Sequence, residues 1–118
     1  MSSEQANCIF CRIIAGEIPS EFVYQDEVCA AFNDTSPQAP SHILVIPRKH
    51  FASLDKADEK HKEILGHLLL TCAEIAREQG FAEDGYRVVI NTNENGGQTV
   101  FHLHVHLLGG RPFVFPPG

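Results

Sequence analysis

The chain has 118 residues, 43% of them hydrophobic, and carries nine basic against fifteen acidic side chains, 9 − 15 = −6. That length predicts one domain over 1–118, burying about two-thirds of the surface its unfolded form exposes. The acidic balance argues against a sequence-independent nucleic-acid binder. No apolar run approaches the ~20 residues a membrane span requires, and the start, "MSSEQANCIF", lacks the regions of a signal peptide. The expectation is a cytoplasmic protein with neither nucleic acid nor membrane as partner, in which Cys8, Cys11, Cys29 and Cys72 stay reduced.

About seven polar residues open the chain, and no internal repeat or low-complexity tract follows. Cys8-x-x-Cys11 then supplies half of a tetrahedral zinc site. Two thiols packed under an N-terminal segment are the competing reading, since free cysteine is among the most buried residue types. "EFVYQ" and "VCAAFN" read as strands joined by the acidic turn Asp26-Glu27. Asp34, ahead of Thr35-Ser36-Pro37, suits a turn. "HILVIP" is a third strand, stopped by Pro47, which lacks a ladder donor.

From about Asp58 to Gln79 the period changes to three and four residues, through Ile64, Leu65, Leu68, Leu69, Cys72, Ile75 and Ala76, which predicts a long helix. Its acidic start and Gly80 at its end suit the helix dipole and a left-handed cap. Leu70 and Ala73 widen the apolar stripe, which suggests a second copy of the helix as partner or a broader core in this chain. "YRVVINT" and "TVFHLHVHLL" complete five strands around the polar loop "NENGGQ". Short connections favour antiparallel pairing, so the expected class is α+β.

On the last strand His102, His104 and His106 alternate with Leu103, Val105 and Leu107, and side chains two apart share a strand face about 7 Å from each other. Phe101, Leu103, Val105 and Leu107 would fix the register from the opposite face. The row admits three readings: polar core filler, metal ligands, or catalysis. Imidazole is a nucleophile toward phosphorus and a good leaving group once protonated, so it can split one displacement into two. His104 has a neighbour on each side. In the adjoining "GGQT", Gly96 and Gly97 would expose backbone amides to an anion, and Gln98 and Thr99 would add side-chain donors. His61 and His67 lie on or near the helix, solvent-facing or at its packed edge.

"HLHVHLL", "CIFCRIIAGEIPS", "AFNDTSPQAPSHILVIPRKH" and "GYRVVINTNENGGQTVFHLHVHLLGGRP" together resemble the histidine-triad family over nearly the whole chain. Three histidines rather than His-x-His-x-Gln, and the run "LLGGRP", are most similar to its purine nucleoside phosphoramidase branch. The resemblance implies a five-stranded antiparallel sheet with one long helix and a short N-terminal helix, joined into ten strands across a homodimer. It also implies hydrolysis of the P–N bond of adenosine or guanosine 5′-phosphoramidates, with purine nucleoside monophosphates also bound. His104 would carry the nucleotidyl group, supported by His102, His106 and His42. Asp34 would hold the ribose hydroxyls, Asn91, Gly97 and Thr99 the phosphate side, and Phe10, Ile18 and Phe32 the base. No cofactor is needed for that chemistry. A structural zinc is implied by the resemblance at Cys8, Cys11, His50 and His102. Relatives in this branch often carry a tryptophan near the C-terminus, where "FVFPPG" here places Phe115. A nucleotide-binding scaffold without turnover and a dinucleoside polyphosphate hydrolase are the alternatives.

Overall fold

The computed structural model describes residues 7–118; most of the expected polar tail lies outside them. Helix α1, Ile9–Ile14, starts at Cys8, whose sulfur accepts the Cys11 amide at 3.3 Å. Strands β1 (Phe22–Gln25) and β2 (Cys29–Asn33) form the expected hairpin. Its turn is closed by Asp26, whose Oδ1 accepts the amides of Val28 and Cys29, both at 2.8 Å. Strand β3 is Ser41–Pro47, helix α2 is Lys62–Gln79, β4 is Tyr86–Val89 and β5 is Val105–Gly109. All neighbours pair antiparallel in the order β1-β2-β3-β5-β4.

The central strand β3 is buried on both faces. Ile43 and Val45 pack with Leu68, Cys72 and Ile75 of α2, and with Leu103, Val105 and Leu107. Leu44 and Ile46 point the other way, toward Phe10 and Ile13 of α1 and toward Phe32. A strand covered by helices on both sides needs no polar alternation, which is why "HILVIP" reads as a continuous apolar run. Gly80 ends α2 in the left-handed conformation, φ 85°, as its sequence predicts.

Three boundaries differ from expectation by more than one residue. Helix α2 begins at Lys62, four residues late, because Glu59–His61 forms a 3-10 turn. Asp58 accepts the Lys60 amide at 2.9 Å there, and His61 Nδ1 accepts the Asp58 amide at 3.1 Å. His61 is therefore buried against Phe51, with ring centroids 4.2 Å apart, at the packed edge of the helix and not at its solvent face. Strand β4 stops at Val89, and β5 starts only at Val105. The stretch before β5 leaves the ladder to bond with the segment after β3: Leu103 N–H donates to the Phe51 carbonyl at 2.8 Å, and Gln98 Nε2 to the Ala52 carbonyl at 2.8 Å. Phe101 is consequently half exposed, not buried with Leu103 and Val105.

Candidate active site and metal cluster

The sheet register assembles the site. His106 pairs with Leu44 and His42 with Leu108, so both histidines stand on the face opposite α2, diagonal to each other across β3 and β5. His104 precedes β5 on the same side and lies edge-on to Phe10, with centroids 5.1 Å apart; its ring is also 5.1 Å from that of His106. Only His106 of the triad is inside the regular strand, so the even 7 Å spacing expected of three strand residues gives way to closer packing.

Hydrogen bonds fix the tautomers along this row. His104 Nδ1 is 2.8 Å from the His102 carbonyl oxygen, which can only accept, so Nδ1 carries the proton and Nε2 keeps its lone pair. The Gln38 amide, which can only donate, is 3.0 Å from His42 Nδ1. His42 is therefore protonated on Nε2 and donates to His106 Nδ1 at 2.9 Å. His106 is left with Nε2–H as its free donor. Among the described residues neither His104 Nε2 nor His106 Nε2 has a protein partner, and no fully buried side-chain nitrogen or oxygen lacks one. Both nitrogens therefore reach the surface, although His104 as a whole is only 7% exposed. One lone pair and one N–H donor thus stand on adjacent rings.

Burial keeps these rings neutral. It is the main cause that holds His106 down to about 4, with His104 and His42 beside it adding to the effect. Burial likewise lowers His104, opposed by its bond to the His102 carbonyl and by Asp34. A neutral imidazole at pH 7 is the form with a lone pair to give.

Asp34 does two things. Its Oδ1 accepts the Ser36 amide at 2.7 Å, which is the turn its sequence suggests. Its Oδ2 lies 3.5 Å from His42 Nε2, which places the carboxylate at the end of the histidine row. Phe10 and Phe32 meet edge to face at 5.7 Å and are buried, with the half-buried Ile18 packed on their cluster. Asn91 is half-buried just beyond β4, and Thr99 is exposed.

The "GGQT" loop differs from expectation. The Gly97 amide donates to Glu94 at 3.0 Å and the Gln98 amide to Asn93 at 3.1 Å, so neither is free for an anion. Gln98 is also occupied: Oε1 accepts the Asn93 amide, and Nε2 donates to the carbonyls of Ala52 and Val100 at 2.8 and 3.1 Å. With both Nε2 hydrogens used, this buried side chain is a staple of the loop and not a phosphate donor. Thr99 is the polar side chain of the loop's end that remains exposed. The amide of Gln38, by contrast, belongs to the site and has no signature in sequence, because any non-proline residue supplies one.

Cys8, Cys11, His50 and His102 meet on the far side of His104, their ligand atoms all within 4.8 Å of one another. A tetrahedral zinc with bonds of about 2.0 Å to nitrogen and about 2.3 Å to sulfur sets its ligands roughly 3.3–3.8 Å apart. The observed separations are 3.4 Å for Cys8 Sγ to His102 Nδ1, 3.3 Å for Cys11 Sγ to His50 Nδ1, 3.5 Å for Cys11 Sγ to His102 Nδ1, and 3.1 Å between the two Nδ1 atoms. His102 Nε2 donates to the Pro47 carbonyl at 2.8 Å, which leaves Nδ1 as the lone-pair nitrogen aimed into the cluster. The donor set fits zinc. Beside it a cavity of about 390 Å³, lined by Cys8, Ile9, His50, Thr99, Val100 and Phe101 among others, includes neither His104 nor His106.

These features define a small α+β protein with a neutral imidazole row on one sheet face and a Cys₂His₂ cluster behind it. A model of the HIT domain matches residues 15–113, and the chain belongs to the HIT domain family. It is 52% identical to the purine nucleoside phosphoramidase of Escherichia coli strain K12 over 104 residues, 88% of this chain and 87% of that protein. It is 54% identical to a 14 kDa zinc-binding protein of Zea mays over 112 residues, 93% of this chain and 87% of that one. The crystal structure of a HIT family hydrolase from Legionella pneumophila Philadelphia 1 superposes with a TM-score of 0.93 at 46% identity, covering 95% of this chain and all of the other.

Proposed function

We propose that this protein hydrolyses the P–N bond of purine nucleoside 5′-phosphoramidates through a nucleotidyl-histidine intermediate. The observation that carries the reading is the pair of Nε2 atoms on adjacent rings without a partner among the described residues, a lone pair on His104 and a proton on His106. His104 Nε2 attacks the α-phosphorus of a substrate whose P–N nitrogen has taken a proton from solvent, and the P–N bond breaks with its electron pair leaving on the neutral amine. Positive charge develops on the His104 ring, and the His102 carbonyl, already bonded to Nδ1–H, stabilises it. His106 Nε2–H donates to the reacting group, held in that tautomer by His42. Water then displaces Nε2 from phosphorus, one of its protons returning to solvent, and releases the monophosphate and neutral His104.

Asp34 holds the ribose hydroxyls, Asn91 and Thr99 the phosphate side, and Phe10, Ile18 and Phe32 bound the base. Cys8, Cys11, His50 and His102 hold a structural zinc, which braces the backbone whose His102 carbonyl orients the nucleophile. The protein acts as a homodimer, and its identity to the E. coli phosphoramidase supports the substrate class.

The test is hydrolysis of adenosine 5′-phosphoramidate by the purified chain. His104→Ala is expected to lower turnover by at least ~10³-fold, as loss of a covalent nucleophile does, with adenosine monophosphate binding retained. Wild-type turnover in that variant, or no adenylyl adduct in the mass of protein quenched during the reaction, rejects the assignment.

A further inference from the structure

The geometry points to Arg111 as a positioning residue: we propose that its guanidinium, by gripping the Gln38 carbonyl, sets the tautomer of His42 and through it the proton that His106 presents. This inference rests on the functional reading above. Arg111 is exposed, yet every part of its head is engaged. Nη2 and Nε donate to the Gln38 carbonyl oxygen at 3.0 and 3.4 Å, Nη1 donates to the Pro112 carbonyl at 3.0 Å, and the guanidinium stacks 4.2 Å from the Phe113 ring centroid. An exposed arginine without such ties samples many rotamers.

The grip bears on one residue of the 34–40 loop, and that residue's own amide is the donor to His42 Nδ1. The chain of constraint is short: Arg111 to the Gln38 carbonyl, Gln38 N–H to His42 Nδ1, His42 Nε2–H to His106 Nδ1. If the Gln38 amide retreats, only the Asp34 carboxylate, 3.5 Å from Nε2, still favours Nε2–H, and His42 can carry its proton on Nδ1. It then loses the donor that His106 Nδ1 accepts, and His106 no longer has to keep its proton on Nε2. Of the remaining side-chain contacts among the described residues, Asp34 Oδ1 with the Ser36 amide and Gln38 Nε2 with the Ser36 carbonyl are internal to the loop, and Asp34 Oδ2, 3.5 Å from His42 Nε2, meets the sheet only from the loop's start. Asp34 N–H, bonded to the His42 carbonyl at 2.9 Å, holds only the loop's other end.

The glycine pair ahead of Arg111 has a matching cause. At Gly109 a Cβ would run into the Phe81 ring, and at Gly110, φ 92°, it would stand 2.8 Å from Pro40 Cβ. Only glycines let β5 end flush against Pro40 and turn the next residue back over the loop.

The test is nitrogen-15 spectroscopy of the histidine rings in wild type, Arg111→Ala and Arg111→Lys, alongside turnover and binding. In the wild type, His42 is expected as a single Nε2–H tautomer with Nδ1 in the range of a hydrogen-bond acceptor, a readout independent of any activity. Arg111→Ala should mix the His42 tautomers and lower kcat roughly tenfold, a part of the 10²–10⁴ that a positioned acid–base group supplies. Its affinity for adenosine monophosphate should stay within about twofold. Arg111→Lys, which lacks the planar fork, should recover only part of kcat. A wild-type His42 protonated on Nδ1, an unchanged tautomer in Arg111→Ala, or a kcat loss matched by weaker nucleotide binding overturns the proposal. Absence of turnover in the wild type with the tautomer chain intact would count against the enzyme reading alone.

Discussion

At the scale of single residues, the site works because each imidazole is told by a non-titrating neighbour which nitrogen keeps the proton. The His102 and Pro47 carbonyls and the Gln38 amide do this for His104, His102 and His42 in turn. The same device prepares the cluster behind the row. Burial, reinforced by Cys8, pushes the Cys11 thiol up to about 12, so without a metal it is protonated at neutral pH. A metal must therefore displace that proton. Zinc uptake is expected to release protons and to weaken as pH falls, measured by chelator competition at pH 7.5 and 6. Cys8→Ala/Cys11→Ala should bind no zinc at stoichiometric levels by elemental analysis and melt several degrees lower. A variant that keeps its zinc removes the cluster as the metal site.

Secondary-structure elements divide the labour between the two faces of the sheet. Helix α2 covers one face through Leu68, Cys72, Ile75 and Ala76, and α1 covers part of the other beside the histidines. Two leucines of α2 belong to neither layer: Leu70 is 72% exposed and Leu69 45%. The wide stripe seen in sequence thus exceeds what this chain's own sheet covers. Strand β4 also has a pairing partner on one side only among the described residues, which leaves an edge for a second sheet to extend. If these surfaces join two copies, Leu70→Glu should convert a dimer of about twice 13.1 kDa into a monomer in sedimentation velocity. An unchanged sedimentation coefficient would place the contact elsewhere or remove it.

For the molecule as a whole, acidification removes stability in two stages. His106 is held down to about 4 by burial, while unfolded histidine titrates near 6.5. Between those values the unfolded chain binds the extra proton, so the stabilisation is fully present above about pH 6.5 and is lost as pH falls toward 4. Asp26 acts below that. Burial opposes its charge, but the Cys29 amide, His67, the Val28 amide and Tyr24 together hold its carboxyl well below the usual range. Its contribution, which includes the 2.7 Å contact tying His67 of α2 to the β1–β2 turn, is present above about pH 4 and lost below it. Urea midpoints are expected to fall from pH 7 to 5 and again below pH 4; a flat profile between 7 and 5 would contradict a neutral, buried His106.

What the sequence determined by itself is what periodicity and residue type encode locally. The hairpin at Asp26, the buried run of β3, the α2 stripe ending at Gly80 and the alternation of His102, His104 and His106 all depend on neighbours a few positions apart. The same holds for the Cys8-x-x-Cys11 pair. The tertiary structure alone decided which polar groups are spent and which are free. Gln98 has the composition of a phosphate donor, yet Ala52 and Val100 consume its hydrogens. Gln38 has no chemical signature, yet its amide acts through His42 on the proton of His106, 68 positions away (106 − 38). Hydrogen-bond saturation depends on which segments the fold brings within about 3 Å, and that distance is not a local property of any stretch of chain.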